Sequence, residues 1–200
     1  MPTEKAKRMV TILWPAIVLT AICAIVTLVL ALTYTLTEPT IAALNAESET
    51  AAVKEVLPGD YTPTSLDVNM NGVTKVYTAM SGDGAFIGYA MVCSSKGYGG
   101  DIQLMVGIGD KGQVTGVKIL SDNETPGLGK KAEDASFTDR YKKDKAVSQY
   151  EVVKGTAQED AQIDAITGAT ITSKAVTNGV NAALAAYREL LQGNTAMGLG

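Results

Sequence analysis

The chain contains 200 residues, of which 46% are hydrophobic, and its 17 basic and 21 acidic side chains give a net charge of −4. This length accommodates one modest domain and a short additional segment. With no histidine and only two cysteines, the sequence excludes a classical zinc site, an iron–sulfur cluster held by this chain alone, and a histidine-dependent catalytic triad. The chemistry of this protein therefore depends on an imported group.

The first predicted element is an uncharged, apolar segment from Met9 to Thr37. It is longer than the roughly 20 residues that a helix needs to cross a bilayer, and longer than the apolar part of a cleaved signal peptide. We therefore predict a retained transmembrane helix over residues 9–37. Basic side chains precede it within residues 1–8 and acidic ones follow it, which predicts a cytoplasmic N-terminus and an extracytoplasmic remainder. That remainder is net acidic, which argues against nucleic acid as a partner.

An α+β domain is predicted after the membrane segment. Residues 38–59 are expected to form a helical stalk, residues 60–72 a loop, and residues 60–193 the domain itself. Runs of β-branched and aromatic residues joined by Gly/Asp turns predict four strands: Val73–Met80, Phe86–Cys93, Ile102–Ile108 and Val114–Leu120. Short strands joined in this way favour a small antiparallel meander with flanking helices.

Two helices are predicted beyond the strands. The segment from Ala135 to Asp144 is expected to be a short surface helix, whose basic residues form a solvated face or, alternatively, dock an acidic partner subunit. A weak strand is expected from Tyr150 to Val153. The last helix, from Ser173 to Leu191, carries one apolar stripe that would pack on the sheet. It is expected to end at Gly193, leaving residues 194–200 as a flexible tail.

The segment from Asp164 to Ser173 carries four hydroxyl side chains around a Gly-Ala pair, directly before the last helix. Small residues let a ligand approach the backbone, and the free N–H groups of a helix start can bind a phosphate. The residues alone leave two interpretations open. The segment is either a phosphate-sized pocket or an ordinary helix cap in which Thr172 or Ser173 accepts an N–H bond.

A second unusual segment, Glu-Thr-Pro-Gly-Leu-Gly from Glu124 to Gly129, follows the fourth predicted strand. Pro126 fixes one backbone angle, and the glycines permit unusual ones. Such a rigid turn of small residues is suited to lying against a flat ring. The alternative is an ordinary type II turn around Pro126 and Gly127.

Both segments resemble motifs of FMN-binding-domain proteins. Asp164, Thr167, Gly168, Ala169 and Thr170 match the family's flavinylation motif, and Glu124–Gly129 matches its second motif. The resemblance implies FMN attached covalently by a phosphoester to Thr170, by a separate flavin transferase that uses FAD and recognises Asp164. It also implies that the remaining motif residues line the cofactor pocket: Thr167, Gly168, Ala169, Ile171, Thr172, Glu124, Thr125, Gly127, Leu128 and Gly129.

With its membrane segment, the chain resembles the G subunits of Rnf electron-transport complexes. This implies an electron-carrier subunit without its own substrate site, in a complex that couples electron transfer between ferredoxin and NAD to ion translocation. Two alternatives stay within redox chemistry: the C-type subunit of a Na⁺-pumping NADH:quinone reductase, or a free-standing extracellular flavoprotein. A third alternative is a cofactor-free, membrane-tethered binding or scaffold module.

Overall fold

The computed structural model describes residues 4–70 and 72–196 and divides the chain into two compact units, Met1–Glu47 and Ser48–Gly200. Helix α1 runs from Glu4 to Val56 and contains both Pro15 and Pro39. The predicted membrane helix and the predicted helical stalk are therefore parts of one continuous helix. Proline removes one backbone donor, but the Ala- and Glu-rich residues after Pro39 favour continuation of the helix.

The part of α1 from Leu13 to Pro39 is long and apolar enough to cross a membrane, with a mean hydropathy of 2.7. Its large apolar side chains, such as Leu19 and Leu30, are exposed. The hydroxyls of Thr20 and Thr33 each donate to the backbone carbonyl four residues earlier, at 2.8 and 2.9 Å. Such bonds satisfy polar groups within the helix itself, as an apolar surrounding requires.

The second unit is built on a five-stranded antiparallel meander. Its strands are β1 (Tyr61–Met70), β2 (Val73–Ser81), β3 (Phe86–Lys96), β4 (Asp101–Gly109) and β5 (Val114–Ser121), in that spatial order. The four predicted strands are confirmed as β2 to β5, and the α+β class is confirmed with them. The predicted loop over residues 60–72 is wrong, because β1 pairs with β2 there. Pro63 is tolerated because β1 is an edge strand.

Helix α3 (Thr170–Ala196) covers one face of this sheet. Its apolar stripe packs as predicted, since Val176, Val180 and Leu184 are buried in one cluster with Met91 and Leu104 of the strands. Leu191, at the end of the stripe, is 41% exposed. The helix continues past Gly193, the predicted end, because a single glycine costs only about 1 kcal/mol within a helix. Of the predicted tail, residues 197–200 lie outside the described residues.

The end of α1 covers the opposite face of the sheet. Ala52, Val53, Val56 and Leu57 are buried there, in a second cluster that includes Met105. A Cβ on Gly116 of β5 would lie 2.8 Å from the Cα of Val56, so that glycine permits the close approach. The predicted domain limits of 60–193 therefore omit core residues, because the last turns of α1 belong to the domain.

The chain between β5 and α3 contains short elements. They are a 3₁₀ turn (Gly129–Glu133), helix α2 (Ala135–Thr138), a second 3₁₀ turn (Asp139–Tyr141), and the parallel strands β6 (Glu151–Val153) and β7 (Gln162–Asp164). The predicted surface helix from Ala135 to Asp144 is thus too long. Phe137 and Tyr141 face the core, and the residues after Tyr141 include no apolar side chain to extend the packing until Ala146. Strand β6 falls within the weak strand predicted from Tyr150 to Val153, whereas β7 was not predicted because it contains a single β-branched residue, Ile163.

Candidate functional site

A cleft of about 510 Å³ opens where three separate segments of the second unit meet. The segments are the β3–β4 loop, the chain after β5 and the start of α3. Tyr98, Glu124, Thr125, Leu128, Gly129, Gly168, Ala169, Thr170, Ile171 and Thr172 line it. The fold therefore brings together two sequence motifs that lie about 40 residues apart in the chain.

The buried carboxylate of Glu124 joins all three segments. Its Oε1 accepts the backbone N–H groups of Tyr98 at 2.7 Å and Gly99 at 3.0 Å. Its Oε2 accepts the hydroxyl of Thr172 at 2.7 Å. Glu124 is only 4% exposed, and hydrogen bonds to an ionised group are stronger than neutral ones. Glu124 therefore holds the walls of the cleft together.

Asp122 stabilises the backbone of the segment that carries Glu124. Its Oδ1 accepts the backbone N–H of Glu124 at 2.8 Å and lies 3.3 Å from the ammonium of Lys130. Burial raises the pKa of Asp122, but the N–H of Glu124 and the charge of Lys130 outweigh it, so the pKa lies below its ordinary value. An ionised Asp122 stabilises the backbone turn that presents Glu124 to the cleft.

Helix α3 begins at Thr170, on the wall of the cleft. The hydroxyls that follow it have other partners. Thr172 donates to Glu124, whereas Ser173 Oγ accepts the N–H of Ile166 at 2.9 Å and donates to the carbonyl of Ala169 at 3.0 Å. Those two hydroxyls therefore brace the loop and the cleft wall. Thr170 is half-buried, and its position at the start of the helix is one that favours an anion.

Two glycines shape the contact between the motifs. A Cβ on Gly129 would lie 2.7 Å from the Cβ of Glu124 and 2.9 Å from Oγ1 of Thr172. Gly168 has a φ of +80°, which L side chains rarely adopt, and the added Cβ would approach Leu128 at 3.1 Å. The close packing of the two motifs therefore requires glycine at both positions.

The rim of the cleft is apolar. Tyr98, Leu128 and Ile171 line it and are 72%, 44% and 55% exposed. Large exposed apolar side chains grouped around one cleft are typical of a ligand site. Tyr98 was not predicted, because a Gly-rich link such as Gly97–Gly100 is equally compatible with a plain loop and with a ligand contact. The feature that could have indicated a ligand contact is the one aromatic residue, Tyr98, among the three glycines of this link.

Three predicted site residues do not line the cleft. Gly127 lies in the adjacent turn, exposed and with a φ of +76°. Thr167 is exposed and lines a different cavity. Asp164 ends β7, where its Oδ1 accepts the N–H of Ala157 and its backbone carbonyl accepts Nη1 of Arg140. Arg140 was expected on a solvated face, but it is bound to the backbone of the motif.

The cleft fits FMN in size and chemistry. Its volume lies within the range of roughly 300–1,000 Å³ that is usual for small-molecule sites. The apolar rim suits a flat ring system, and the start of α3 with Thr170 suits a phosphate. In the part of the chain that the structure describes, no group of three or more Cys, Asp or Glu side chains could hold a metal ion. Burial raises the pKa of Cys93 to about 12, so its thiol is not a reactive nucleophile.

Comparison with known proteins identifies related families. The model of the FMN-binding domain matches residues 97–185. The G subunit of the Na⁺-translocating ferredoxin:NAD⁺ oxidoreductase complex of Acetobacterium woodii is 36% identical, over 93% of this chain and 99% of its own length. The G subunit of the proton-translocating ferredoxin:NAD⁺ oxidoreductase complex of Clostridium ljungdahlii is 39% identical, over 83% and 86%.

A solved structure has the same fold. The C-type subunit of the Na⁺-translocating NADH-quinone reductase from Parabacteroides distasonis superposes with a TM-score of 0.55, covering 73% of this chain and 93% of that chain. The two sequences are 20% identical. The likeness therefore extends to the fold, whereas the sequence similarity over nearly the whole chain is to G subunits.

Proposed function

The chain belongs to the family of G subunits of ion-translocating ferredoxin:NAD⁺ oxidoreductase complexes, and from that premise we propose that it relays electrons through FMN attached to Thr170. One observation carries this proposal. The Glu124–Gly129 segment and the residues from Gly168 to Thr172 form a single cleft, joined by the bond from Thr172 to Glu124. Thr170 lies on its wall as the first residue of α3.

The attachment of FMN needs help from outside the chain. A threonine hydroxyl is a weak nucleophile without an adjacent base, and both oxygens of the nearby Glu124 already accept hydrogen bonds. We therefore assign the reaction to a flavin transferase that uses FAD. The hydroxyl oxygen of Thr170 bonds to the phosphorus of the FMN half, the bond between the two phosphates breaks, and AMP leaves. The hydroxyl proton passes to a base of the transferase.

The residues of the cleft would hold and orient the cofactor. FMN supplies the redox chemistry when bound, because its ring accepts and donates electrons. The N–H groups at the start of α3 would face the negatively charged phosphodiester. Tyr98 and Leu128 would present apolar surface to the ring, and Glu124 would keep the loop of Tyr98 fixed relative to α3.

An extracytoplasmic location of the flavin domain would explain why the cofactor is attached covalently. The charges around the apolar part of α1 favour a cytoplasmic N-terminus and a flavin domain on the extracytoplasmic side. Free flavin is scarce there, so a dissociated cofactor would be lost. A carrier of this kind would exchange electrons with other membrane and peripheral subunits of the complex, without a substrate site of its own.

The FMN-binding domain argues against a cofactor-free scaffold module. The C-type subunit of a quinone reductase has the same fold, but the relatives that cover most of this chain are G subunits. A free-standing flavoprotein would be distinguished from a member of a complex by co-purification of partner subunits after mild solubilisation.

The test is the mass of the peptide that contains Thr170. The full chain is produced together with a flavin transferase, digested, and analysed by mass spectrometry and flavin absorbance. We expect FMN on Thr170 in the wild type and in Thr170→Ser, and none in Thr170→Ala. Thr64→Ala is the matched control, because Thr64 is exposed on the edge strand β1 and lies outside both motifs and the cleft. Full flavin content in Thr170→Ala would refute the proposal.

A further inference from the structure

Arg140 lies outside both motifs, but its side chain binds the residue that begins the attachment motif. Its Nη1 donates to the backbone carbonyl of Asp164 at 2.7 Å, and its Nε donates to the carbonyl of Ser136 at 2.9 Å. The guanidinium also lies over the ring of Phe137, 5.4 Å from its centroid, and Phe137 is buried. Arg140 is therefore a fixed connection between the α2 region and the motif.

Two further hydrogen bonds fix the backbone and the side chain at Asp164 and Ala165. Oδ1 of Asp164 accepts the N–H of Ala157, and the N–H of the next residue, Ala165, donates to the carbonyl of Val153 at 3.0 Å. Because Asp164 is the last residue of β7, these bonds and that of Arg140 set the direction in which the chain leaves the strand. They therefore fix both the carboxylate of Asp164 and the loop that leads to Thr170.

Arg140 and this loop also share a surface beside the cofactor cleft. A small cavity of about 190 Å³ lies there, lined by Arg140 and Thr167 together with Lys131, Asp134, Ser136, Phe137, Ala165 and Ile166. None of the residues that line it also lines the cofactor cleft. A protein that engages residues 165–167 from this side would therefore not have to enter the cofactor cleft.

We propose that Arg140 is a positioning residue for flavin attachment: acting through Asp164, it holds residues 164–167 in the conformation that the flavin transferase engages. This inference rests on the proposed function. Without the bond from Arg140 the loop samples more conformations, and the transferase must order it on docking. The loss of one hydrogen bond from a charged donor then weakens docking about tenfold. The reaction at Thr170 proceeds at an unchanged rate once the complex has formed.

The experiment measures the rate of FMN attachment against the concentration of the full-length, flavin-free chain, with a purified flavin transferase and FAD. Arg140→Gln is expected to raise the half-saturating concentration about tenfold and to leave the maximal rate nearly unchanged. Arg140→Lys keeps the positive charge but not the planar guanidinium. Its half-saturating concentration is expected to lie between those of the wild type and Arg140→Gln. Lys145→Gln is the matched control, since it removes one positive charge from an exposed side chain of the same region.

Amide hydrogen exchange provides a readout that does not depend on the reaction. Exchange at residues 165–167 is expected to be faster in Arg140→Gln than in Lys145→Gln. An unchanged half-saturating concentration in Arg140→Gln, a loss confined to the maximal rate, or unchanged exchange would each overturn the inference. If Arg140→Gln does not fold, the half-saturating concentration and the amide exchange of Arg140→Lys are compared with those of Lys145→Gln, and the same outcomes apply. A wild-type chain that takes no FMN on Thr170 would instead refute the proposed function, and this inference with it.

Discussion

Replacing Gly129 by alanine tests whether the cleft depends on the close contact of its two motifs. The added Cβ would lie 2.7 Å from the Cβ of Glu124 and 2.9 Å from Oγ1 of Thr172, and closer still to Oε2 of Glu124. Glu124 is buried, so its carboxylate cannot turn into solvent without breaking bonds. The substitution therefore has to displace either Glu124 or the first turn of α3.

The expected cost has two parts. Overpacking a filled site costs about 1–3 kcal/mol. Loss of one hydrogen bond to the carboxylate, such as that from Thr172 at 2.7 Å, costs about 1.5–3 kcal/mol when a charged group is involved. Because relaxation of the structure relieves part of both, we expect the free energy of unfolding to fall by about 2–4 kcal/mol. FMN attachment is expected to fall as well, because the first turn of α3 carries Thr170.

The assay is urea unfolding followed by circular dichroism, together with the FMN content per chain after production with a flavin transferase. Gly82→Ala is the matched control, because Gly82 is exposed in the β2–β3 turn and no described atom lies within 4 Å of the added Cβ. It is expected to match the wild type in both measurements. Wild-type stability and full FMN content in Gly129→Ala would refute the claim that these contacts shape the cleft.

Two further substitutions test charges in the second unit. Glu124→Gln keeps the size of the side chain and an acceptor for the β3–β4 loop, but it removes a negative charge from the cleft. We therefore expect a more positive FMN midpoint potential in spectroelectrochemical titration. An unchanged potential would show that this charge does not act on the ring. Burial raises the pKa of Glu49, but hydrogen bonds from Lys75 and Tyr77 outweigh it, so the pKa lies below its ordinary value. A lowered pKa stabilises the fold above the unfolded-state pKa of about 4.5, and this contribution is lost as the pH falls through the folded-state pKa. Glu49→Gln should therefore lower the free energy of unfolding by about 1 kcal/mol at pH 7, and by much less once the pH has fallen below the lowered folded-state pKa of Glu49. A difference in urea unfolding that stays constant as the pH falls would contradict the assignment.

The sequence predicted the parts of the fold that depend on local pattern. Strands β2 to β5 follow β-branched runs separated by Gly/Asp turns, and the buried face of α3 follows its 3.6-residue period. Strand β1 was missed because Pro63 and the turn residues near Gly72 indicate a loop, whereas pairing with β2 makes an edge strand of the same residues. Its formation depends on a neighbour, which no local pattern describes.

The motifs predicted which segments of the chain meet, while their role in binding FMN stays a prediction. Of the residues that the resemblance placed in a pocket, all but Gly127 and Thr167 line one cleft. The contributions of Tyr98 and Arg140 were not predicted. Both act across long separations in the chain, Tyr98 through the bond of its N–H to Glu124 and Arg140 through the carbonyl of Asp164. A contact between a side chain and a backbone group far away in the chain has no characteristic residue spacing by which it could be predicted from the sequence.

The burial of the end of α1 in the sheet domain decides where a soluble fragment of this protein can begin. Val53, Val56 and Leu57 are at most 1% exposed, so cutting the chain at residue 60 would strip one side of the sheet and leave it prone to aggregation. A fragment that starts at Ser48, the first residue of the second unit, keeps this cover while omitting the membrane-spanning part. Spectroscopy on the isolated flavin carrier therefore calls for the longer fragment.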